Sequence, residues 1–176
     1  MLSAFEAFFL AFGSPSSWLR IYASAADAED AAGAMSEGAS WAAFCTADPD
    51  FPCLYAAYRA LRRVGWNIRD GVKFGVDFTL YEPAASPMAH ATHSVLVLTP
   101  RAAGKRSWPW LQRHVRLSHT VGKELLLCSV ELAQDGRADD PAALTSSPSC
   151  LDALEVRTLG VRGWGAGREH AYLSQV

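Results

Sequence analysis

The sequence predicts an α/β (α+β) protein, because segments with helical spacing come first and segments of alternating hydrophobicity follow them. Residues 53–66 place apolar side chains three or four positions apart, as one face of a helix requires. Residues 73–81 and 90–98 alternate between apolar and polar side chains, which is typical of strands. An apolar run at 123–132 predicts a buried strand. With 176 residues, 50% of them hydrophobic, the chain can form a core in one domain or two small ones.

The N-terminal segment is apolar like the core of a signal peptide, but it lacks a basic start and Glu6 interrupts it. Ser3 and Glu6 have the spacing of a capping box, so residues 3–12 predict a buried helix. Residues 17–23 alternate and predict a short strand. Residues 24–45 are rich in alanine at helical spacing. We expect no membrane association, because no run approaches the ~20 apolar residues of a membrane span.

The clearest break in the first third of the chain is TADPDFP at 46–52. It divides the predicted domains, which are 1–50 and 51–176. Beyond the helix that opens the second domain, residues 66–75 predict a hairpin with the Asp-Gly pair at 70–71 as its turn.

Three side chains stand around the turn between the two alternating segments. Alternation places Tyr81 on the polar side of the first segment, away from Leu80. In the second segment, His90 and His93 fall on opposite faces. If the two segments pair as neighbours, His90 rather than His93 shares the side of Tyr81.

The net charge of −2 and the pI of about 6.2 do not indicate a globally basic nucleic-acid-binding protein. Residues 101–123 are the exception, because they hold six cations and no acidic residue. Trp108, Trp110 and His119 add groups that stack or donate. This composition suits contacts to phosphates and bases, and it equally suits an ordinary solvated basic helix. The six cations are Arg101, Lys105, Arg106, Arg113, Arg116 and Lys123.

Two kinds of chemistry remain open from the residues. The four cysteines lack metal-binding spacing and predict reduced thiols in an intracellular protein.

The first possibility is a metal-dependent nuclease, which would need carboxylates converging on Mg²⁺ beside Lys123. The candidates for those carboxylates are Asp77 with Glu124 or Glu131.

The other possibility is metal-free cleavage of RNA by the neighbouring 2′-hydroxyl. That reaction needs a base, an acid and a cation near the phosphate. Histidine suits the acid role because free imidazole titrates near ~6.5. A tyrosine can act as the base if a nearby cation favours its ionised form. Tyr81, His90 and Lys123 supply one such set among several that the reactive side chains allow.

Two stretches resemble the tRNA-splicing endonucleases, the tRNA-intron lyases. Residues 58–95 contain KFGVDFTLY followed by HATHSV, and residues 111–130 end in KELLLCSV. The form is closest to the eukaryotic catalytic subunit that cuts the 5′ splice site, and the likeness extends over nearly the whole chain. His93 departs from the family, in which an aromatic residue is usual at this position.

The resemblance implies a role for each matching residue. Tyr81 matches the general base, His90 the general acid and Lys123 the cation that stabilises the transition state. Arg116 and Trp164 match a pair that clamps a bulged intron base by cation–π stacking and serves the active site of a partner subunit. The implied products are a 2′,3′-cyclic phosphate and a 5′-hydroxyl, formed with no metal and no cofactor.

The resemblance also implies a fold, partners and a location. The fold is a small N-terminal α/β domain followed by a catalytic domain with a mixed β-sheet flanked by helices. The partners are intron-containing precursor tRNA and other endonuclease subunits, in a dimer or heterotetramer, and the location is the nucleus. The acidic segment at 134–140 matches a loop used in assembly, although it equally suits a solvated turn. The alternative within the family is a structural RNA-binding subunit that does not cut.

Overall fold

A computed structural model describes residues 2–29, 33–84, 86, 88–102, 104, 106–132 and 145–162. The chain forms two compact units, one from residues 1–59 and 132–154, the other from 60–131 and 155–176. The segment at 134–140 and Trp164 lie outside the described residues, so the predictions for them stay predictions. None of the described helices has the length and hydrophobicity needed to cross a bilayer.

The first unit is helical in its described part. Helix α1 (Ala4–Phe8) runs into a π-helical turn (Phe9–Gly13), α2 spans Glu37–Ala47, and α3 spans Phe51–Val64 and continues into the second unit. Short 3₁₀ helices occupy Asp27–Glu29 and Pro148–Ala153.

The predicted capping box is present at the start of α1. The Glu6 backbone N–H donates to Ser3 Oγ at 3.2 Å, and the Ser3 N–H donates to Glu6 Oε2 at 2.8 Å. Both bonds satisfy backbone donors that a helix start leaves open. The helical prediction for this segment is therefore confirmed.

Aromatic side chains form the core of the first unit. The ring of Phe8 lies 5.4 Å from that of Trp41 and 5.0 Å from that of Tyr55, both in edge-to-face contact. Phe51 stacks on Tyr55 at 5.7 Å. All four side chains are buried, and edge-to-face and stacked rings add to the hydrophobic gain of burial.

The short strand predicted at 17–23 is wrong. The segment forms no strand and pairs with no strand among the described residues. Single backbone bonds hold it instead, from Trp18 N to Leu10 O at 3.0 Å and from Met35 N to Ile21 O at 2.7 Å. Alternation in a sequence indicates an extended chain, but a strand also needs a partner.

The second unit holds a five-stranded sheet in the order β1-β2-β3-β4-β5. The strands are β1 (Asn67–Asp70), β2 (Phe78–Tyr81), β3 (His93–Leu98), β4 (Glu124–Leu132) and β5 (Leu154–Val161). The first three are antiparallel neighbours, and β3 and β4 are parallel. The sheet is therefore mixed, as the resemblance implied.

Helix α4 (Trp108–Thr120) connects the two parallel strands. Its side chains Trp110, Leu111 and Val115 pack on a cluster formed by Leu96 of β3 and by residues of β4 and the β1–β2 connection. Such a crossover helix is how parallel neighbours are joined. The remaining members of the cluster are Val76, Leu125 and Leu127.

Two predicted strand boundaries are wrong. The alternating segment at 73–81 is a strand only at Phe78–Tyr81, and its first residues belong to a 3₁₀ turn (Val72–Phe74) and to Gly75, at φ +66°. The hairpin therefore joins β1 to β2 through residues 71–77 rather than through an Asp-Gly turn. A left-handed residue after a 3₁₀ turn ends the alternation, although the side-chain pattern continues through it.

All four cysteines are free thiols, as predicted. Burial raises the pKa of the Cys45 and Cys53 thiols to about 11, and Asp48 and Asp50 add to this rise. Burial likewise raises the pKa of Cys128 to about 12, with a smaller contribution from Asp77. Thiols with such pKa values are protonated and unreactive near neutral pH.

Candidate active site at one edge of the sheet

The candidate site lies where β2 ends and where β3 and β4 begin. Because β2 and β3 are antiparallel and β3 and β4 are parallel, these three ends share one edge of the sheet. The Thr92 N–H donates to Leu80 O at 2.9 Å, and the Glu124 N–H donates to Thr92 O at 3.0 Å. Two consecutive hydrogen bonds thus join three backbone segments that are far apart in sequence.

The three predicted catalytic residues flank this pair of hydrogen bonds. Tyr81 directly follows Leu80, Lys123 directly precedes Glu124, and His90 lies two residues before Thr92. The topology therefore brings the three backbone positions to the same edge. Their convergence on one phosphate stays a prediction.

The register assigns Tyr81 to one face of the sheet. Leu80 pairs with His93, and Thr79 pairs with Ser94, so Tyr81 alternates to the face opposite His93. The predicted pairing of the two segments around the turn is confirmed. So is the separation of Tyr81 from His93 that the alternation predicted.

The Tyr81 ring has a cationic neighbour that sequence reasoning missed. The guanidinium carbon of Arg69 lies 4.8 Å from the ring centroid, which is a cation–π contact. Arg69 lies on β1 and pairs with Thr79 of β2, which is two residues before Tyr81. A diagonal contact of this kind depends on strand register, so only a correct β1–β2 pairing would have found it.

His90 is exposed and lies in the turn before β3, which begins at His93. The prediction that residues 90–98 form one strand is therefore wrong at its start, and alternation does not orient His90. Asn67 supports the beginning of the turn, because its Nδ2 donates to Glu82 O and Pro83 O at 3.3 Å each. An exposed imidazole in a tethered turn can meet a ligand that approaches this edge.

Lys123 lies between the end of α4 and the start of β4. Gly122, in the left-handed region at φ +67°, reverses the chain after the helix, and the Lys123 N–H donates to Ser118 O at 2.8 Å. The ammonium Nζ lies 4.8 Å from the centroid of the Phe74 ring and 3.5 Å from Val121 O. Phe74 packs on the cluster under α4, so the lysine rests on a fixed aromatic surface.

A polar network lies on the opposite face of the same edge. His93 pairs in register with Glu124, whose carboxylate forms an ion pair with Arg162 at 2.6 Å. The imidazole contacts the Trp66 ring edge-on at 5.1 Å, and its Nδ1 lies 2.9 Å from Thr92 Oγ1. These contacts join the start of β3 to Trp66, just before β1, and the start of β4 to Arg162, just after β5.

The environment of His93 favours its neutral form. Burial lowers the pKa of His93, and the Arg162 charge acts in the same direction, while Glu124 and Glu82 oppose the change. The net direction is downward, so the imidazole is neutral near pH 7. The 3.7 Å separation between His93 Nε2 and Glu124 Oε2 is also longer than a hydrogen bond.

The carboxylates proposed for a metal site do not converge. Asp77 Oδ2 accepts from Val97 N at 2.7 Å, and Glu124 is paired with Arg162. Glu131 lies seven residues along β4 from Glu124, roughly 23 Å away at the rise of a strand. Within the described residues, no three side chains form a group that could hold a metal ion.

Arg116, predicted to clamp an intron base, is exposed on α4 one turn before the helix ends. The Thr120 hydroxyl donates to its carbonyl at 2.9 Å. Within the described part of the chain, no hydrogen bond, ion pair or ring contact joins Arg116 to Tyr81, His90 or Lys123, and its role as a clamp stays a prediction.

A family model described as tRNA intron endonuclease, catalytic C-terminal domain, matches residues 51–138, which is half of the chain. The match includes β1 to β4 and α4, and therefore Tyr81, His90 and Lys123. The chain belongs to the tRNA intron endonuclease family.

The more specific likeness is to proteins named tRNA-splicing endonuclease subunit Sen2. The mouse protein (Mus musculus) is 31% identical over 137 residues, which cover 74% of this chain and 29% of the mouse protein. The protein of Eremothecium gossypii is 37% identical over 118 residues, covering 65% and 32% of the two chains.

A plant relative is similar to this chain in the same way. The subunit named Sen2-2 of Arabidopsis thaliana is 32% identical over 125 residues, covering 71% of this chain and 47% of its own length. The chain thus matches between about a third and a half of each of these relatives.

Proposed function

We propose that this chain is a catalytic subunit of tRNA-splicing endonuclease, a tRNA-intron lyase that cuts precursor tRNA at the 5′ exon–intron junction. The observation that carries the proposal is the pair of hydrogen bonds linking Leu80, Thr92 and Glu124. It brings the backbone positions of Tyr81, His90 and Lys123 to one edge of the sheet, and the proposal requires their side chains to meet a single phosphate there. Membership of the family and the names of the similar subunits support the same conclusion.

In the proposed reaction, the 2′-oxygen next to the junction attacks phosphorus while the bond from phosphorus to the 5′-oxygen breaks. Tyr81 takes the proton from the 2′-hydroxyl, and His90 gives a proton to the leaving 5′-oxygen. The products are a 2′,3′-cyclic phosphate and a 5′-hydroxyl. Attack and departure each need a proton transfer, which explains why one edge would carry both a base and an acid.

Two cations, Lys123 and Arg69, complete the proposed chemistry. Lys123 stabilises the negative charge that develops on the phosphoryl oxygens in the transition state. The contact with the Phe74 ring restricts the position of the ammonium group. Less conformational entropy of the lysine side chain is therefore lost when substrate binds. Arg69 lies on the Tyr81 ring and limits the rotation of the phenol.

Other subunits would complete the enzyme. The similar proteins are named as subunits, and we infer that this chain also works in a hetero-oligomer, in the nucleus. Arg116 and Trp164 would clamp a bulged intron base for the active site of a partner subunit. The exposure of Arg116 supports this arrangement, because an exposed guanidinium can meet a base that lies outside this chain.

A single 2′-deoxy substitution in the substrate tests the mechanism. In a precursor tRNA with a 2′-deoxy nucleotide just before the 5′ junction, we expect the assembled enzyme to lose that cut, because the attacking oxygen is missing. Gel analysis of end-labelled RNA measures the two cuts separately. The 3′ cut in the same molecule is the matched control, and continued 5′ cleavage would contradict the proposed mechanism.

A further inference from the structure

A cleft of about 470 Å³ lies in the second unit, at the end of the sheet opposite the candidate active site. The end of β3, the start of α4 and the last part of β4 form its walls. Helix α4 has 13 residues, so its start is roughly 20 Å from its end near Lys123. The polar and aromatic residues in the lining are Thr99, Arg106, Ser107, Trp108, Trp110 and Glu131.

Two polar groups in the lining have unused hydrogen-bonding capacity. Thr99 is 3% exposed, and within the described part of the chain its hydroxyl has no hydrogen-bond partner. The Arg106 Nη1 atom is buried and equally without a partner among the described residues. Leaving a buried donor unsatisfied is costly, so both groups indicate a ligand that accepts hydrogen bonds.

The electrostatic surroundings favour an anion. The cleft lies at the N-terminal end of α4, where the helix dipole is positive, although Ser107 Oγ already accepts from the Trp110 N–H and Pro109 has no N–H. Arg106 adds a full charge. The acidic side chain in the lining, Glu131, lies 3.9 Å from Arg157 and accepts from Ser129 Oγ at 2.7 Å, so its charge is partly compensated.

Aromatic side chains adjoin this anion-favouring region. The Arg106 guanidinium carbon lies 4.6 Å from the centroid of the Trp110 ring. The neighbouring Trp108 is 69% exposed, which is unusual for so large an apolar side chain. An exposed indole beside an anion site provides a surface on which a nucleic-acid base can stack.

We propose that this cleft binds one nucleotide of the RNA, with the phosphate at Arg106, Thr99 and the start of α4, and the base on Trp108. The contact would lie several nucleotides from the scissile phosphate, because the length of α4 separates the two places. The identity of the ligand as RNA rests on the proposed function, whereas binding of a nucleotide can be tested without it.

The first test titrates the full chain with 5′-AMP, adenosine and inorganic phosphate, measured by tryptophan fluorescence and calorimetry. We expect 5′-AMP to bind more tightly than either fragment, and Trp108→Ala and Arg106→Gln each to weaken it about tenfold or more. Trp18→Ala is the matched control for Trp108, because Trp18 is 74% exposed in the first unit. Arg63→Gln is the control for charge removal, because Arg63 is exposed.

Two results of this titration would overturn the proposal. If phosphate binds as tightly as 5′-AMP, and Trp108→Ala leaves the affinity for 5′-AMP unchanged, the cleft is an anion site without a base contact. An acidic peptide that binds more tightly than 5′-AMP and displaces it would mean a protein-binding cleft.

Cleavage of precursor tRNA separates this proposal from the proposed function. With the assembled enzyme, Trp108→Ala should raise KM about fivefold or more and leave kcat unchanged, since the cleft is remote from the reacting atoms. If the wild-type assembly cuts and the Trp108→Ala variant has the same KM, the cleft is rejected as an RNA contact. A wild-type assembly that does not cut would reject the proposed function, whether or not 5′-AMP binds.

Discussion

Two histidines near the same strand end have different surroundings. His90 is exposed in the turn that precedes β3. His93 is half-buried, contacts Trp66 and lies 2.9 Å from the Thr92 hydroxyl through Nδ1. An exposed imidazole is available to substrate, whereas one packed against a ring and a hydroxyl contributes to stability.

Replacing each histidine by alanine should therefore produce opposite patterns. His90→Ala should slow the 5′ cut roughly 10²–10⁴-fold, the range for loss of a general acid, and leave the unfolding free energy nearly unchanged. His93→Ala should lower the unfolding free energy by about 1–2 kcal/mol and slow cleavage far less. Single-turnover cleavage and urea unfolding measure the two effects, and equal rate losses would contradict the assignment of His90.

The stability of the second unit should also depend on pH through His93. Its folded pKa is lowered, chiefly by burial, so between the folded and unfolded values the unfolded chain binds more protons. The unfolding free energy should therefore decrease as the pH falls below about 6.5, the unfolded value, and passes through the folded one. Urea unfolding of wild type and His93→Gln at several pH values measures this. A dependence that is the same in both would show that His93 is not its source.

At the scale of elements, the connection between β1 and β2 positions Tyr81. Residues 71–77 close on themselves, because the Gly71 N–H donates to Asp77 O at 3.1 Å and the Val76 N–H donates to Gly71 O at 3.3 Å. The Asp77 N–H then donates to Val95 O at 3.0 Å. This compact loop sets the register in which β2 begins.

A methyl group at Gly71 should disrupt this loop. A Cβ there would lie 2.6 Å from Val76 O and 2.9 Å from Phe78 N, both of them backbone atoms. We expect Gly71→Ala to lower the unfolding free energy by about 1–3 kcal/mol, the cost of overpacking, as measured by urea unfolding. Gly160→Ala is the control, because nothing lies within 4 Å of a Cβ at that position. Equal effects of the two changes would contradict the close approach at Gly71.

For the whole molecule, the distribution of carboxylates bears on the metal-dependent alternative. Asp77 accepts a backbone hydrogen bond, and Glu124 and Glu131 are paired with arginines near opposite ends of β4. The described chain thus uses these acidic groups to hold its own structure.

Cleavage should consequently survive removal of divalent metal. With the assembled enzyme in excess EDTA and enough monovalent salt to keep the tRNA folded, we expect the 5′ cut to proceed within about twofold of its usual rate, because protein side chains perform the proton transfers. Gel assays of a folded precursor provide the measurement. A rate that collapses in EDTA and returns with Mg²⁺, but not with Co(NH₃)₆³⁺, would favour metal catalysis.

Local patterns predicted most of the helices and strands correctly. The capping box at Ser3 and Glu6, the apolar stripe of α3 and the apolar run of β4 are each determined by neighbours a few residues apart. Alternation failed at residues 73–77 and at 17–23. A 3₁₀ turn interrupts the first segment, and the second lacks a partner strand among the described residues.

The sequence by itself determined which reactive side chains are available and on which side of β2 the hydroxyl of Tyr81 stands, because a strand alternates by rule. Only the tertiary structure decided that β3 and β4 are parallel neighbours. This pairing brings Lys123 to the same edge as Tyr81, although the two residues are 42 positions apart in the chain. The tertiary structure alone placed Arg69 on the Tyr81 ring and His90 outside the strand. Hydrogen bonds between strands depend on distant residues, and no local pattern encodes their register.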